Sequence, residues 1–232
     1  MKYYVISPVG RTGSRRVFTF LHRHFNDKKE ASVHYGVGGD QSFEKKELPT
    51  MESKLRFIVS QYEKDDAISH EQNWDTSLAE IAEILKNAED ETCVHSHSSV
   101  PLLDSENWVV IFSNRKSKAE QMMSKFIGEY LGTHEPLEKD KKFEPFSVTK
   151  EKVQWFLSMI EWKDTLCKEL YPNHIEIFME DSIETIEEKL MLKFDRTAHI
   201  EKADTRFVSN HRYKDLIINY KEIFEWCGES YE

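Results

Sequence analysis

The chain has 232 residues, a formal net charge of −10 and 39% hydrophobic residues, a composition that fits a globular protein with a substantial core. The acidic balance argues against nucleic-acid binding, because that binding depends on a basic surface that displaces counterions. Three widely spaced cysteines fit a reducing compartment better than a disulfide framework. No apolar run approaches the roughly 18 residues of a membrane helix, and no signal peptide is recognisable. We therefore expect a single cytoplasmic domain over residues 1–232, without membrane insertion.

The N-terminal segment predicts a strand, a glycine loop and a helix. Residues 2–7 form an apolar run rich in β-branched and aromatic side chains, which indicates a buried strand. Residues 8–16 contain proline and two glycines and predict a tight loop. The apolar positions Val17, Phe20 and Leu21 then share one face of a helix. This order of elements is typical of a phosphate-binding cradle.

The loop carries the residue types that an anion requires. Glycines let the backbone approach a ligand, hydroxyls donate hydrogen bonds, and arginines can bind an oxyanion through two parallel hydrogen bonds. The candidate binding residues are Gly10, Arg11, Thr12, Gly13, Ser14, Arg15 and Arg16. No lysine follows either glycine, so the loop is not a Walker A motif.

Strands and helices alternate along the rest of the chain. Strands are predicted at 31–35, 92–96, 108–112 and 175–179, a glycine loop at 36–40, and helices at 51–64, 77–85, from 117 onward, and at 148–170, 183–194 and 213–226. This alternation predicts an α/β fold with a central parallel sheet of about four or five strands, flanked by helices.

A second group of basic residues follows the most apolar strand. Arg115 and Lys116 come directly after the run at 108–112 and just before a capping box formed by Ser117 and Glu120. They therefore lie at the carboxyl end of a strand, where open α/β sheets bind ligands.

Four segments together resemble sulfotransferases that use 3′-phosphoadenosine 5′-phosphosulfate (PAPS). Residues 7–14 are similar to the family's 5′-phosphosulfate loop, in the R-S-G-[ST] form common among carbohydrate and bacterial members. Residues 109–124 resemble its second motif, a hydrophobic strand followed by an arginine and then a serine. Residues 94–102 resemble the segment with the catalytic histidine in cytosolic members, and residues 175–181 resemble a late strand that ends in tyrosine-glutamate-aspartate-leucine.

The resemblance implies a three-layer P-loop-like fold and transfer of a sulfuryl group from PAPS to a hydroxyl or amine of a small-molecule or carbohydrate acceptor. The product is 3′-phosphoadenosine 5′-phosphate (PAP), and no metal is required. In this interpretation Arg11, Ser14 and Arg15 bind the 5′-phosphate, and either Arg115 or Lys116 binds the 3′-phosphate together with Ser124. The arginine-lysine-glycine motif near the C-terminus of cytosolic members has no counterpart here.

Two histidines are the candidates for the transfer chemistry. His97 is the proposed general base, because an imidazole titrates near neutral pH, and a carboxylate is the alternative. His95 lies two residues earlier and thus on the same face of a strand, where it is a candidate to contact the sulfate. The pair could instead be hydrogen-bonded residues at a strand end, or two ligands of a zinc site.

Two other functions remain open at this stage. One is a P-loop-type nucleotide phosphotransferase, against which the missing lysine argues. The other is a non-catalytic module that binds an anionic nucleotide or a sulfated glycan.

Overall fold

Seven strands of the chain form one sheet. The computed structural model describes residues 1–7, 9–26, 33–38, 56–62, 68–73, 85–88, 90, 93–96, 102, 104–131, 143–194, 196 and 213–231. The strands are β1 (Lys2–Ile6), β2 (Val33–Gly38), β3 (Arg56–Tyr62), β4 (Ile68–Asn73), β5 (Cys93–Ser96), β6 (Trp108–Asn114) and β7 (Ile175–Phe178). The helices are α1 (Ser14–Asn26), α2 (Lys118–Leu131), α3 (Lys150–Leu170), α4 (Ile183–Leu190), α5 (Tyr213–Leu216) and α6 (Tyr220–Trp226). A short 3₁₀ helix, Ser105–Asn107, precedes β6.

Five neighbouring strands run parallel, in the order β2-β5-β1-β6-β7. The first strand is central, and its last residue, Ile6, pairs with Ser96 of β5 and with Phe112 of β6. Parallel strands end at the same edge of a sheet, so the segments that follow β1, β5, β6 and β7 share that edge. The predicted α/β fold with a parallel sheet of four or five strands is confirmed.

Two further strands extend the sheet in antiparallel fashion. β3 pairs with β2, and β4 pairs with β3. The predicted helix over 51–64 is therefore wrong: residues 56–62 are β3. Phe57, Ile58 and Val59 are aromatic or β-branched, and such residues pack well on a pleated surface. The predicted glycine loop at 36–40 is also partly wrong, because β2 continues to Gly38.

Both faces of the sheet are covered around β1. Alternate side chains of β1 point to opposite faces. Tyr3 and Val5 pack in a cluster with α1 and α4, whereas Tyr4 and Ile6 pack with Leu85 and with the C-terminal end of α3. These layers confirm the three-layer arrangement. None of the described helices has both the length and the hydrophobicity that crossing a membrane requires.

A third cluster joins the helices that follow β6. Met122 and Phe126 of α2 pack against Val153 and Phe156 of α3 and against Phe224 of α6. The predicted helix over 213–226 is interrupted inside this cluster. Phe146 N–H donates to Leu216 O (2.8 Å), and Ile218 N–H donates to Phe146 O (2.9 Å). This backbone pairing with a distant residue splits the predicted helix into α5 and α6.

The C-terminal residues cap α2. Gly228, with φ of 71°, ends α6 in the left-handed conformation and turns the chain back. The Glu229 carboxylate then accepts from Lys118 N (2.6 Å), Ala119 N (3.3 Å) and the Ser117 hydroxyl (2.6 Å). These amides lie in the first turn of α2 and have no partner within the helix. Glu229 thus fixes the start of the helix that also carries Ser124.

We expect Glu229→Ala to lower the free energy of unfolding by about 1 to 2 kcal/mol, since it removes a side chain that caps and carries charge at a helix N-terminus. For a chain of this size that corresponds to a drop in Tm of about 2 to 8 °C. Differential scanning fluorimetry measures it. Glu161→Ala, the same change at an exposed position of α3, is the control, and equal Tm values for the two variants would contradict the capping role.

Candidate functional site

The loop that leads from β1 to α1, described at residues 7 and 9–14, lies at the carboxyl edge of the five parallel strands, next to the central one. It follows β1, which is flanked by β5 and β6. The chain leaves β1 toward β2 on one side and leaves β6 toward β7 on the other. Adjacent strands whose connections diverge in this way form the crevice in which open α/β sheets bind ligands.

The backbone of the loop turns through three left-handed residues. The φ angles are 77° at Gly10, 61° at Arg11 and 74° at Gly13. For a side chain such as that of Arg11 this conformation costs roughly 1 to 2 kcal/mol. A left-handed residue followed by a right-handed one, as at Gly13 and the helical Ser14, forms a concavity that binds anions. Strain of this kind is concentrated at functional sites.

Groups outside the loop hold two of its carbonyls. Gln121 Nε2 of α2 donates to Gly10 O (2.9 Å), and Ser113 Oγ at the end of β6 donates to Thr12 O (2.9 Å). Within the loop, the hydroxyls of Ser7 and Thr12 are 2.6 Å apart. The residue after the apolar run of β6 and a side chain of α2 therefore hold the loop in place through these hydrogen bonds.

The first turn of α1 completes the cradle. Arg16 N and Val17 N donate to Gly13 O at 2.9 and 3.4 Å, so helical hydrogen bonding starts immediately after the loop. The first turn contains no acidic residue. The N-terminal amides of a helix attract anions, and a carboxylate at this position would compete with them.

Arg11 connects the loop to α2. Its Nε donates to Ser124 Oγ at 2.9 Å, across 113 residues of sequence. The sequence assigned these two residues to separate motifs of one nucleotide site, and the structure brings them into contact.

Ser14 contacts His95. The distance from His95 Nε2 to Ser14 Oγ is 2.8 Å, and the imidazole stacks on Phe18 of α1. His95 and Ser14 are each 4% exposed, so the two side chains form a buried pair beside the loop. If Ser14 gives its proton to a ligand oxygen, then Nε2 must carry a hydrogen and donate to Ser14.

Arg16 is buried and hydrogen-bonded to backbone carbonyls. It is 6% exposed, and its guanidinium donates to Met179 O (3.0 Å) and Asp181 O (2.9 Å) in the connection between β7 and α4. In this arrangement Arg16 positions that connection from within the core. Arg15 is part of the first turn of α1.

Arg115 is held between two carboxylates. It is 4% exposed and lies 2.7 Å from Glu120 and 3.4 Å from Glu180. Glu120 also accepts from the Tyr213 hydroxyl (3.4 Å), whose pKa is raised by burial and by the Glu120 charge, so that it stays protonated. Lys116 is exposed, and its amide donates to Glu180. Of the two candidates for the 3′-phosphate, Arg115 is buried in ion pairs and Lys116 faces solvent.

Sequence reasoning missed two residues that shape the loop, Ser113 and Gln121. Gln121 is three residues before Ser124 on α2 and four after Ser117, the residue that precedes the helix, and this spacing puts them on the same side. This spacing is the feature of the sequence that could have identified Gln121. Ser113 directly follows the apolar run at 108–112, at the strand end where the motif begins.

His97 and Pro8 lie outside the residues that the structure describes. Within the described ranges, no group of three or more His, Cys, Asp or Glu side chains is arranged to hold a metal ion. No protein-family model matches the chain, and neither a curated protein nor a solved structure shows significant similarity to it.

Proposed function

We propose that the protein is a sulfotransferase that moves a sulfuryl group from PAPS to a hydroxyl or amine of a small-molecule or carbohydrate acceptor. The contact between Arg11 and Ser124 carries this proposal. It unites the 5′-phosphosulfate loop with the serine of the second motif, two segments that the resemblance assigns to the 5′-phosphosulfate and the 3′-phosphate of one nucleotide. The free thiols of all three cysteines are compatible with action in the cytoplasm.

The loop supplies what a phosphosulfate needs. Sulfuryl transfer resembles phosphoryl transfer in that the protein mainly positions the reactants and stabilises charge. Charge develops on the 5′-phosphate as its bond to sulfur breaks. In this proposal, backbone amides of the loop and of the first turn of α1 bind that phosphate, and Arg11 adds a positive charge beside them.

In the proposed reaction, the acceptor oxygen attacks sulfur in line with the leaving phosphate. The new bond joins the acceptor oxygen to sulfur, the bond between sulfur and the phosphate oxygen breaks, and PAP leaves. His97 is the proposed group that takes the acceptor's proton. Ser14 donates to the phosphate while it accepts from His95, which makes His95 a positioning residue in this scheme.

The 3′-phosphate also needs a positively charged residue to bind it. Arg115 already faces Glu120 and Glu180, and a phosphate would be repelled by both carboxylates. The longer of the two contacts, to Glu180, is the one that a 3′-phosphate can displace. Alternatively, Lys116 binds it from the solvent side.

We expect PAP to raise the Tm of the protein, because a ligand that binds only the folded state stabilises it; at 100 times its Kd the gain is about 2.7 kcal/mol. That corresponds to a rise of about 5 to 11 °C for a chain of this size. The measurement is differential scanning fluorimetry with PAP, adenosine 5′-phosphate, and ATP with magnesium. Adenosine 5′-phosphate is the matched control, as it lacks only the 3′-phosphate.

The three ligands separate the candidate functions. A shift with PAP that exceeds the shift with adenosine 5′-phosphate supports the sulfotransferase. A shift with ATP and magnesium alone would refute it and favour a phosphotransferase. Binding of PAP without release of PAP from PAPS, across a panel of hydroxyl and amine acceptors, would indicate a binding module.

A further inference from the structure

The carboxamide of Gln121 is buried against the loop, and one of its two polar atoms lacks a hydrogen-bond partner among the described residues. Gln121 is 2% exposed, and its Nε2 donates to Gly10 O at 2.9 Å. Its Oε1 has no hydrogen-bond partner among the residues that the structure describes. A buried polar atom without a partner costs about 1 to 3 kcal/mol. An apolar side chain of the same length would remove that cost, but it would leave Gly10 O without its donor.

The geometry of the peptide unit indicates what Gln121 does. A peptide is planar and trans, so its carbonyl and its N–H point in opposite directions. Gly10 O belongs to the same peptide as Arg11 N–H. Because Gln121 draws this carbonyl toward α2, the Arg11 amide is directed away from α2. The same reasoning applies to Thr12 O, which Ser113 holds, and to the amide of Gly13.

The Gly10 peptide is the one that most needs such a restraint. Both residues that flank it are left-handed, with φ of 77° and 61°. A non-glycine residue in this conformation persists only when its surroundings fix it. Without a donor at Gly10 O, rotation of this peptide relieves the strain at Arg11 and turns the amide.

We infer that Gln121 is a positioning residue of the anion-binding loop: by holding Gly10 O it orients the Arg11 amide toward the bound anion. The inference rests on the proposed function only for the identity of the ligand. It also accounts for the unpartnered Oε1, since the residue is kept for its donor and tolerates the cost of its acceptor.

The test replaces Gln121 by methionine, which has a similar length and no donor. The readouts are the Tm and the Arg11 amide resonance of the ligand-free protein, and the Kd for PAP by calorimetry. We expect a Tm close to that of the wild type, because the lost bond to Gly10 O offsets the removal of the unpartnered Oε1. We also expect a displaced Arg11 resonance and a Kd about tenfold higher, the equivalent of one neutral hydrogen bond. Gln154→Met, the same change at an exposed position of α3, should alter none of the three.

The combination distinguishes positioning from structural support. A residue that only stabilised the fold would lower the Tm when replaced. An unmoved Arg11 resonance together with a Kd within twofold of the wild type would overturn the inference. If the wild type does not bind PAP at all, the proposed function fails, and the Arg11 resonance of the ligand-free variant alone decides whether Gln121 orients this peptide.

Discussion

Replacement of Arg11 by alanine is expected to lower kcat/KM for PAPS by about 10² to 10³-fold, the loss measured when one preorganised donor is removed from a developing oxyanion. Arg11 is part of the loop itself, and its Nε is already oriented by Ser124. The assay is the release of PAP from PAPS with a panel of acceptors, combined with the Kd for PAP.

The control removes a positive charge elsewhere. Lys152 on α3 is 47% exposed and pairs with Glu129. Lys152→Ala should leave kcat/KM within about twofold of the wild type, because exposed ion pairs contribute little. A similar loss in both variants would mean that Arg11 acts only through the total charge of the protein.

A glycine at position 11 separates function from stability. Arg11 has φ of 61°, a conformation that glycine adopts at little cost. Arg11→Gly should therefore unfold at the same Tm as the wild type or higher, while it loses as much activity as Arg11→Ala. A fall in Tm in Arg11→Gly that parallels the fall in activity would contradict a dedicated role in binding.

Local signals in the sequence were sufficient for the elements that carry the site. The apolar run of β1, the glycines of the loop and the helical spacing after Ser14 lie next to one another, so each element could be recognised within a short window. The N-cap half of the predicted capping box of α2 is another such case: Glu120 N donates to Ser117 Oγ at 3.1 Å, while the Glu120 carboxylate pairs with Arg115. These elements have in common that their boundaries depend on neighbouring residues.

Other features depend on contacts between distant residues. The break between α5 and α6 arises from pairing of Phe146 with Ile217. The contact of Gln121 with Gly10 spans 111 residues, as does the amide contact of Glu229 with Lys118. Residues 56–62 show a different problem. The apolar positions 55, 58, 59 and 62 have helical spacing, but so short a run also fits a strand, and periodicity alone does not separate the two. The order of the segments was readable from the sequence, but their mutual contacts required the fold.

Replacement of Gly13 by alanine is the second large effect that we expect. Gly13 has φ of 74°, and a Cβ built there lies 3.0 Å from Met179 Cγ and 3.2 Å from Met179 Cβ. The left-handed conformation costs an alanine roughly 1 to 2 kcal/mol. Crowding of a packed position adds typically 1 to 3 kcal/mol. We therefore expect a loss of about 2 to 5 kcal/mol in the free energy of unfolding, and binding of PAP weaker by more than tenfold because the loop shifts relative to β7.

Gly228 is the internal control for this experiment. Its φ of 71° matches that of Gly13, but a Cβ at this position meets nothing within 4 Å. Gly228→Ala therefore measures the backbone strain alone, and the difference between the two variants measures the contact with Met179. Met179→Ala in the Gly13→Ala background removes the nearest atom and should recover part of that difference, since contacting residues do not act additively. Equal unfolding free energies for the two glycine variants in urea titrations would show that the loop can move away from β7, and that Met179 does not fix the position of Gly13.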